Sequence, residues 1–234
     1  MIKGLPLDSI LSSEIIKEEW DAVSRRLDAL KIPDGTGGVN PGDRRAIYYL
    51  IRHLKPQRAL EIGTHIGAST VHILSALEDS GSMVSVDFMD VNCPIKKRWV
   101  KYSSPQSPAV AVEALGYSEK IDFVVSPSLD YLKNTTEKFD FIFLDGDHTD
   151  LVVYEEIPIA MERLSDSGVI LLHDYFPDGQ PLWETNKKAI LGPFTAVELL
   201  KKNGCPIEVF PMGDLPWATK LGSNTTSLAV LVRA

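Results

Sequence analysis

Cysteine is scarce: Cys93 and Cys205 are the only two in 234 residues. They are too few for a disulfide framework and too isolated for a zinc site, so free thiols in a cytoplasmic setting are expected. Basic charge is also in deficit, with 24 Lys and Arg against 32 Asp and Glu and a net charge of −8. Non-specific binding to nucleic acid or to an anionic membrane needs clustered Lys and Arg, so neither is expected as a partner. No apolar run approaches the roughly 18 residues of a membrane span. The start, "MIKGLPLDSILSSEIIKEEW", has no basic segment followed by an apolar stretch, so no signal peptide is read there. Internal repeats and low-complexity stretches are absent. The Asn-Thr-Thr stretches at Asn134 and Asn224 match a glycosylation pattern and are read as chance.

What is present is an ordinary apolar fraction, 44%, in a chain long enough for one good core. A single domain over 1–234 is expected, with residues 1–38 as an N-terminal helical extension and 39–234 as the core. Ile16, Trp20, Val23, Leu27 and Leu30 recur at spacings of four and three, which predicts a helix over 9–31. Its apolar face packs on its own domain or forms the seam of a homodimer. "PDGTGG" (33–38) breaks the chain. A helix over 41–54 follows, with Asn40 as N-cap and Pro41 at the first helical position.

From residue 58 apolar strands alternate with helices. Strands are read at "RALEIG", "MVSVDF", "KIDFVV", "FDFIFLD" and "GVILLHD", with helices over 68–79, 105–116 and 151–164 between them. This alternation predicts an α/β fold: a mostly parallel, Rossmann-like sheet covered on both faces by helices. After a helix over 194–203, "PIEVFP" and "TSLAVLVR" have no helix between them and are expected to pair antiparallel at a sheet edge.

Three features suit a nucleoside-type ligand. "LEIGTHIGAST" puts Glu61, Gly63, Thr64, Gly67 and Ser69 at a strand-to-helix turn, where glycines let the backbone turn sharply and approach a ligand. The spacing is neither the G-x-G-x-x-G of dinucleotide sites nor a P-loop. Asp87 ends the next strand, 20 residues after Gly67, where a carboxylate can accept both hydroxyls of a ribose. Ser128 follows the third strand, placed to reach an adenine edge or to cap the helix behind it.

A fourth feature is a knot of charge. "FDFIFLDGDHTD" ends an apolar strand on Asp145, Asp147 and His148, and "LLHDYF" ends the next on His173 and Asp174. Asp145 and Asp174 then lie at neighbouring strand ends, about 4.8 Å apart in the hydrogen-bonding direction. Two such carboxylates repel unless one is protonated or a cation lies between them, and Mg²⁺ favours one or two carboxylates plus waters and substrate oxygens. His148 can accept a proton near neutral pH, or simply cap the helix at 151. His173 should alternate to the other face of its strand and is read as structural. His53, His65 and His72 have no partner at ligand spacing.

In combination, Glu61-x-Gly63-x-x-x-Gly67, Asp87 and "FDFIFLDGDH" resemble class I S-adenosylmethionine-dependent methyltransferases. The likeness is greatest to the metal-dependent O-methyltransferases of catechol and macrolide-sugar type, over roughly 40–175. The resemblance implies a seven-stranded sheet with an antiparallel last strand and S-adenosylmethionine as cofactor. It implies the methionine part at Gly63–Gly67, the ribose at Asp87 and the adenine at Ser128. It implies Mg²⁺ or another divalent cation at Asp145 and Asp174, and His148 as the base on a small-molecule hydroxyl substrate, phenolic or sugar-like. The catechol type carries Asn after its second aspartate; Tyr175 stands here, which leaves a third ligand open, with Asp147 either a candidate or a solvated loop residue. The long stretch 175–194 offers Phe176 and Trp183 to wall a substrate, or Trp183 packs on the body of the domain. Rival readings are an NAD-linked oxidoreductase, a non-catalytic cofactor-binding protein of the same fold, and a metal hydrolase.

Overall fold

The structure, a computed structural model, describes residues 6–36, 38–184, 187–220 and 222–234. The first five residues, Gly37 in the expected chain break, and Thr185 and Asn186 in the long loop lie outside the described residues.

The N-terminal helix is two helices, α1 (Leu7–Leu11) and α2 (Glu14–Asp28). The split follows from Ser13, whose extended backbone and side-chain acceptor for the Ile16 amide make it the N-cap of α2. Asn40 caps α3 (Pro41–Leu54) as expected, accepting from the Asp43 amide at 3.1 Å. The alternating region then runs β1 (Arg58–Ile62), α4 (Ala68–Ala76), β2 (Ser82–Asp87), α5 (Arg98–Lys101) and α6 (Pro108–Leu115). It continues through β3 (Ile121–Val125), α7 (Ser128–Asn134), β4 (Phe139–Leu144), α8 (Asp150–Arg163) and β5 (Leu164–Leu172). The helix expected from residue 105 starts only at Pro108, because Ser107 caps it. The strand expected to reach Asp174 stops at Leu172. Last come α9 (Gly192–Lys202), β6 (Ile207–Pro211) and β7 (Ala229–Arg233).

The seven strands form one sheet in the order β3-β2-β1-β4-β5-β7-β6. All pairs from β3 to β5 are parallel, while β7 runs antiparallel to both β5 and β6. The last two strands thus pair as expected, with β6 outermost. Strand order reverses between β1 and β4, and open α/β sheets bind ligands at the carboxyl ends of such a pair.

Alternation within β4 divides the core. Phe141 and Phe143 pack with α3, α4 and α6, while Ile142 and Leu144 pack with α8 and α9. Burying each such side chain contributes roughly 1.5–3 kcal/mol. Ile10, Leu11, Ile16, Leu27 and Leu30 join the first cluster, with Trp20 and Val23 partly buried against it. The N-terminal apolar face therefore packs on its own chain. Arg52 of α3 fixes α2 through a two-pronged contact with Glu19 at 2.7 and 3.0 Å. Among the described residues no helix is long and apolar enough to cross a membrane, and both cysteines are free.

Candidate active site

The turn after β1 is dictated by its neighbours. Gly63 has φ +101°, and a Cβ there would overlap the backbone carbonyl of Asp145. Only glycine lets the β1 and β4 ends approach this closely, and the Gly63 amide donates to the Val86 carbonyl at 2.8 Å. Gly67, with φ +79°, starts α4, and a Cβ on it would press on Pro108.

Glu61 faces away from this turn. It is fully buried and accepts from the hydroxyls of Ser69, Thr70 and Ser85, each at 2.6 Å, while Thr64 pairs with Ser85 at 2.7 Å. Burial raises its pKa to about 7 against the lowering effect of these bonds. The side-chain oxygens of Glu61, Thr64 and Ser69, expected at the cofactor, here join one buried network with Thr70 and Ser85. Strand alternation sends Ile62, not Glu61, to the cavity side.

A cavity of about 630 Å³ opens over the carboxyl ends of β1, β2 and β4. Gly63, Asp87, Ser128, Asp145 and His148 line it; Glu61, Thr64, Gly67 and Ser69 do not. Asp87 Oδ2 accepts the His65 amide at 3.0 Å and Oδ1 the Met89 amide at 3.0 Å. Each oxygen keeps a free lone pair, so the carboxylate is aimed and still able to accept. Phe88, 67% exposed, flanks it with an apolar face.

Ser128 does not cap its helix. Pro127 holds the cap position. Glu156 is 1% exposed, and burial raises its pKa to about 7; its Oε1 has no partner. His65 also lines the cavity, although its spacing gave no hint of it. Its ring meets Tyr102 edge-on at 4.3 Å, and Nε2 is buried without a partner.

The charged knot assembles as a cluster. Ligand atoms of Asp145, His148 and Asp174 lie within 4.8 Å of one another. His148 Nε2 is 3.9 Å from Asp145 Oδ1 and 3.6 Å from Asp174 Oδ2. The Leu144–Leu172 pairing puts Asp145 level with His173, and the backbone turn at Asp174 brings the second aspartate beside the first. Asp174 takes a left-handed conformation, φ +53°, which Asp tolerates better than most residues. Ser227 Oγ, 3.4 Å from Asp174 Oδ1, steadies it.

His173 keeps the side of the sheet that Leu171 and Phe143 occupy, toward α3, and the left-handed turn at Asp174 brings that aspartate round to it. His173 Nδ1 lies 2.8 Å from Asp145 Oδ1 and 3.6 Å from Asp174 Oδ2, and its Nε2 lies 3.3 Å from Asp43 Oδ2. The 2.8 Å approach is an ionic contact, with the ring N–H off the line of a good hydrogen bond. Burial alone would lower the pKa of His173, but the charges of Asp145 and Asp174 outweigh it and hold it well above the usual histidine value. Asp43, from α3, is fully buried, and no sequence spacing pointed to it.

Asp147 falls outside the cluster; its Oδ1 accepts the Thr149 amide at 2.7 Å in a local turn. Tyr175 is buried against Phe194, and burial pushes its hydroxyl up to about 12. Phe176 and Trp183 are buried edge-to-face at 5.6 Å, and Lys220 Nζ lies 3.7 Å from the Trp183 ring centre. They pack on the body of the protein and do not line this cavity.

This arrangement can hold a nucleoside at Asp87 and activate a hydroxyl at the Asp–His–Asp cluster. Residues 60–175 match the profile of a methyltransferase domain. A catechol O-methyltransferase of Mycobacterium tuberculosis is 24% identical over 72% of this chain and 70% of its own length. A caffeoyl-CoA O-methyltransferase of Stellaria longipes is 22% identical over 58% of this chain and 53% of its own length. The structure of the O-methyltransferase TomG from Streptomyces achromogenes, in complex with SAM, superposes with a TM-score of 0.62 at 17% identity, over 95% of this chain and 91% of that one. The methyltransferase domain over 60–175, these relatives and this fold together support a class I S-adenosylmethionine-dependent O-methyltransferase.

Proposed function

We propose that this enzyme moves the methyl group of S-adenosylmethionine onto one of two neighbouring hydroxyls of a small phenolic molecule, with Mg²⁺ or a similar divalent cation at Asp145 and Asp174 and with His148 beside them as the base. The observation that carries this reading is the cluster itself: two carboxylate oxygens and an imidazole nitrogen within 4.8 Å, at the cavity edge. Such a donor set fits a hard or borderline divalent cation. The cation, when bound, would supply positive charge that lowers the pKa of a nearby hydroxyl. The relatives named for catechol and for caffeoyl-CoA support a phenolic substrate.

The chain's own residues do the rest. Asp87 holds the ribose hydroxyls, the Gly63 turn leaves room for the methionine part, and Ser128 meets the adenine edge beside Phe88. S-adenosylmethionine, when bound, would supply its sulfonium methyl to the substrate oxygen and be left as S-adenosylhomocysteine. The hydroxyl proton passes to His148 Nε2. A second role for His148 is favoured by its distances of 3.6 and 3.9 Å: the same nitrogen could be the third ligand. It cannot do both at once.

We read the whole chain as one domain, with residues 1–38 as a helical extension; the shared core cluster of Ile10, Leu30 and Phe143 supports this. Free Cys93 and Cys205 fit a cytoplasmic setting. The test is incubation with S-adenosylmethionine, Mg²⁺ and a panel of vicinal phenolic diols, matched monophenols and sugar diols. Mass spectrometry should find methyl ethers of the phenolic diols. Cofactor binding without methylation of any hydroxyl would move the reading to a non-catalytic protein of this fold.

A further inference from the structure

We propose that His173, backed by Asp43, is a positioning residue that sets the Asp145–Asp174 carboxylate pair for cation binding; this rests on the metal-assisted reading above. Two imidazoles converge on the same two oxygens, Asp145 Oδ1 and Asp174 Oδ2. Their surroundings differ. The His148 side chain is 33% exposed and lines the cavity. His173 is 5% exposed, does not line the cavity, and lies edge-on to Phe143 at 6.1 Å. The exposed ring is placed for substrate or cation, and the buried one for orientation.

His173 has little freedom to turn. Both ring nitrogens face carboxylate oxygens, Nδ1 toward Asp145 and Asp174 and Nε2 toward Asp43. Rotating the ring would give up one side. Asp43 is itself fixed, since Asn40 Nδ2 donates to its Oδ2 at 2.6 Å and the Asp43 amide bonds Asn40 Oδ1. The α3 N-terminus, Asp43 and His173 thus form a chain that ends on the two carboxylates. Burying an ion pair of this kind is a poor way to gain stability, because desolvation offsets the attraction. Partners behind metal ligands fix ligand direction, and their loss typically costs about 10- to 100-fold in metal affinity.

The experiment is Mn²⁺ binding to the full chain, followed by the loss of the free-ion EPR signal, with S-adenosylhomocysteine affinity measured alongside. His173→Ala should weaken Mn²⁺ by about 10- to 100-fold and leave S-adenosylhomocysteine affinity unchanged. His173→Gln, which keeps an N–H to offer, should recover part of the loss. Asp43→Asn, a near-isosteric change, should weaken Mn²⁺ in the same direction, and it stands in if His173→Ala does not fold. Wild-type Mn²⁺ affinity in the folded variants would overturn the positioning role alone. A wild-type protein that binds no Mn²⁺ would overturn the metal-assisted reading, and this inference with it.

Discussion

The backbone amide of His65 donates to Asp87 Oδ2 at 3.0 Å, so the turn after β1 aims the acidic residue that ends β2. The Met89 amide holds the other oxygen. Asp87→Ala removes both the proposed ribose acceptor and this tie. Affinity for S-adenosylhomocysteine should fall by roughly 1.5–3 kcal/mol, the scale of hydrogen bonds to a charged group. Calorimetry reads it directly, and unchanged affinity would take Asp87 out of the ribose role.

Gly192, at the start of α9, abuts the backbone of His148, and a Cβ there would overlap the His148 carbonyl. Gly192→Ala should therefore displace the loop that carries His148. Misplacing a reacting group by about 1 Å can cost around 10² in rate. A fall in kcat approaching that size is expected, with S-adenosylhomocysteine affinity retained because Asp87 and Gly63 lie on other loops. Wild-type kcat in this variant would mean that the position of His148 does not matter to the chemistry.

The two roles open to His148 separate in one variant. As proton acceptor, its loss in His148→Ala should lower kcat by about 10² to 10⁴ while Mn²⁺ still binds as in the wild type. As third ligand, its loss should weaken Mn²⁺ as well. A variant with both kcat and Mn²⁺ affinity intact would exclude each role.

Glu156 gives a pH signature. Burial raises its pKa to about 7 from 4.5, so between those values the folded protein holds a proton that the unfolded chain has released. Stability must then fall as pH rises through that window, by about 3 kcal/mol at most for this group. Glu61 contributes in the same direction, from about 7. Glu156→Gln does not titrate, so its gain in Tm over the wild type should be larger at pH 8 than at pH 5. An equal difference at both values would show that Glu156 is not protonated in the fold.

Much of this was legible in the chain. The Asn40-Pro41 cap, the strand–helix alternation and the helix-free final pair are local signals, and each has its counterpart in the structure. Asp145 and Asp174 could be paired because consecutive parallel strands end at the same level. What was hidden depends on distance or on a local departure from regularity. Asp43 and His173 are separated by 130 residues, and no periodicity links them. The nearness of His173 to both aspartates was hidden because Asp174, two residues beyond a strand that ends at Leu172, leaves regular alternation through a left-handed turn. Ser13 divides the expected helix by capping its second part, and the Glu61 carboxylate is taken up by the hydroxyls of Ser69, Thr70 and Ser85.

The central claim is that Asp145 and Asp174 act through a divalent cation. It is tested most directly by methyl transfer to a vicinal phenolic diol after chelation, titrated back with Mg²⁺, in the wild type and in Asp174→Ala. The wild type should lose activity in chelator and regain it with Mg²⁺. Asp174→Ala should show no Mg²⁺ stimulation yet bind S-adenosylhomocysteine as before. Full wild-type activity in excess chelator would contradict the account.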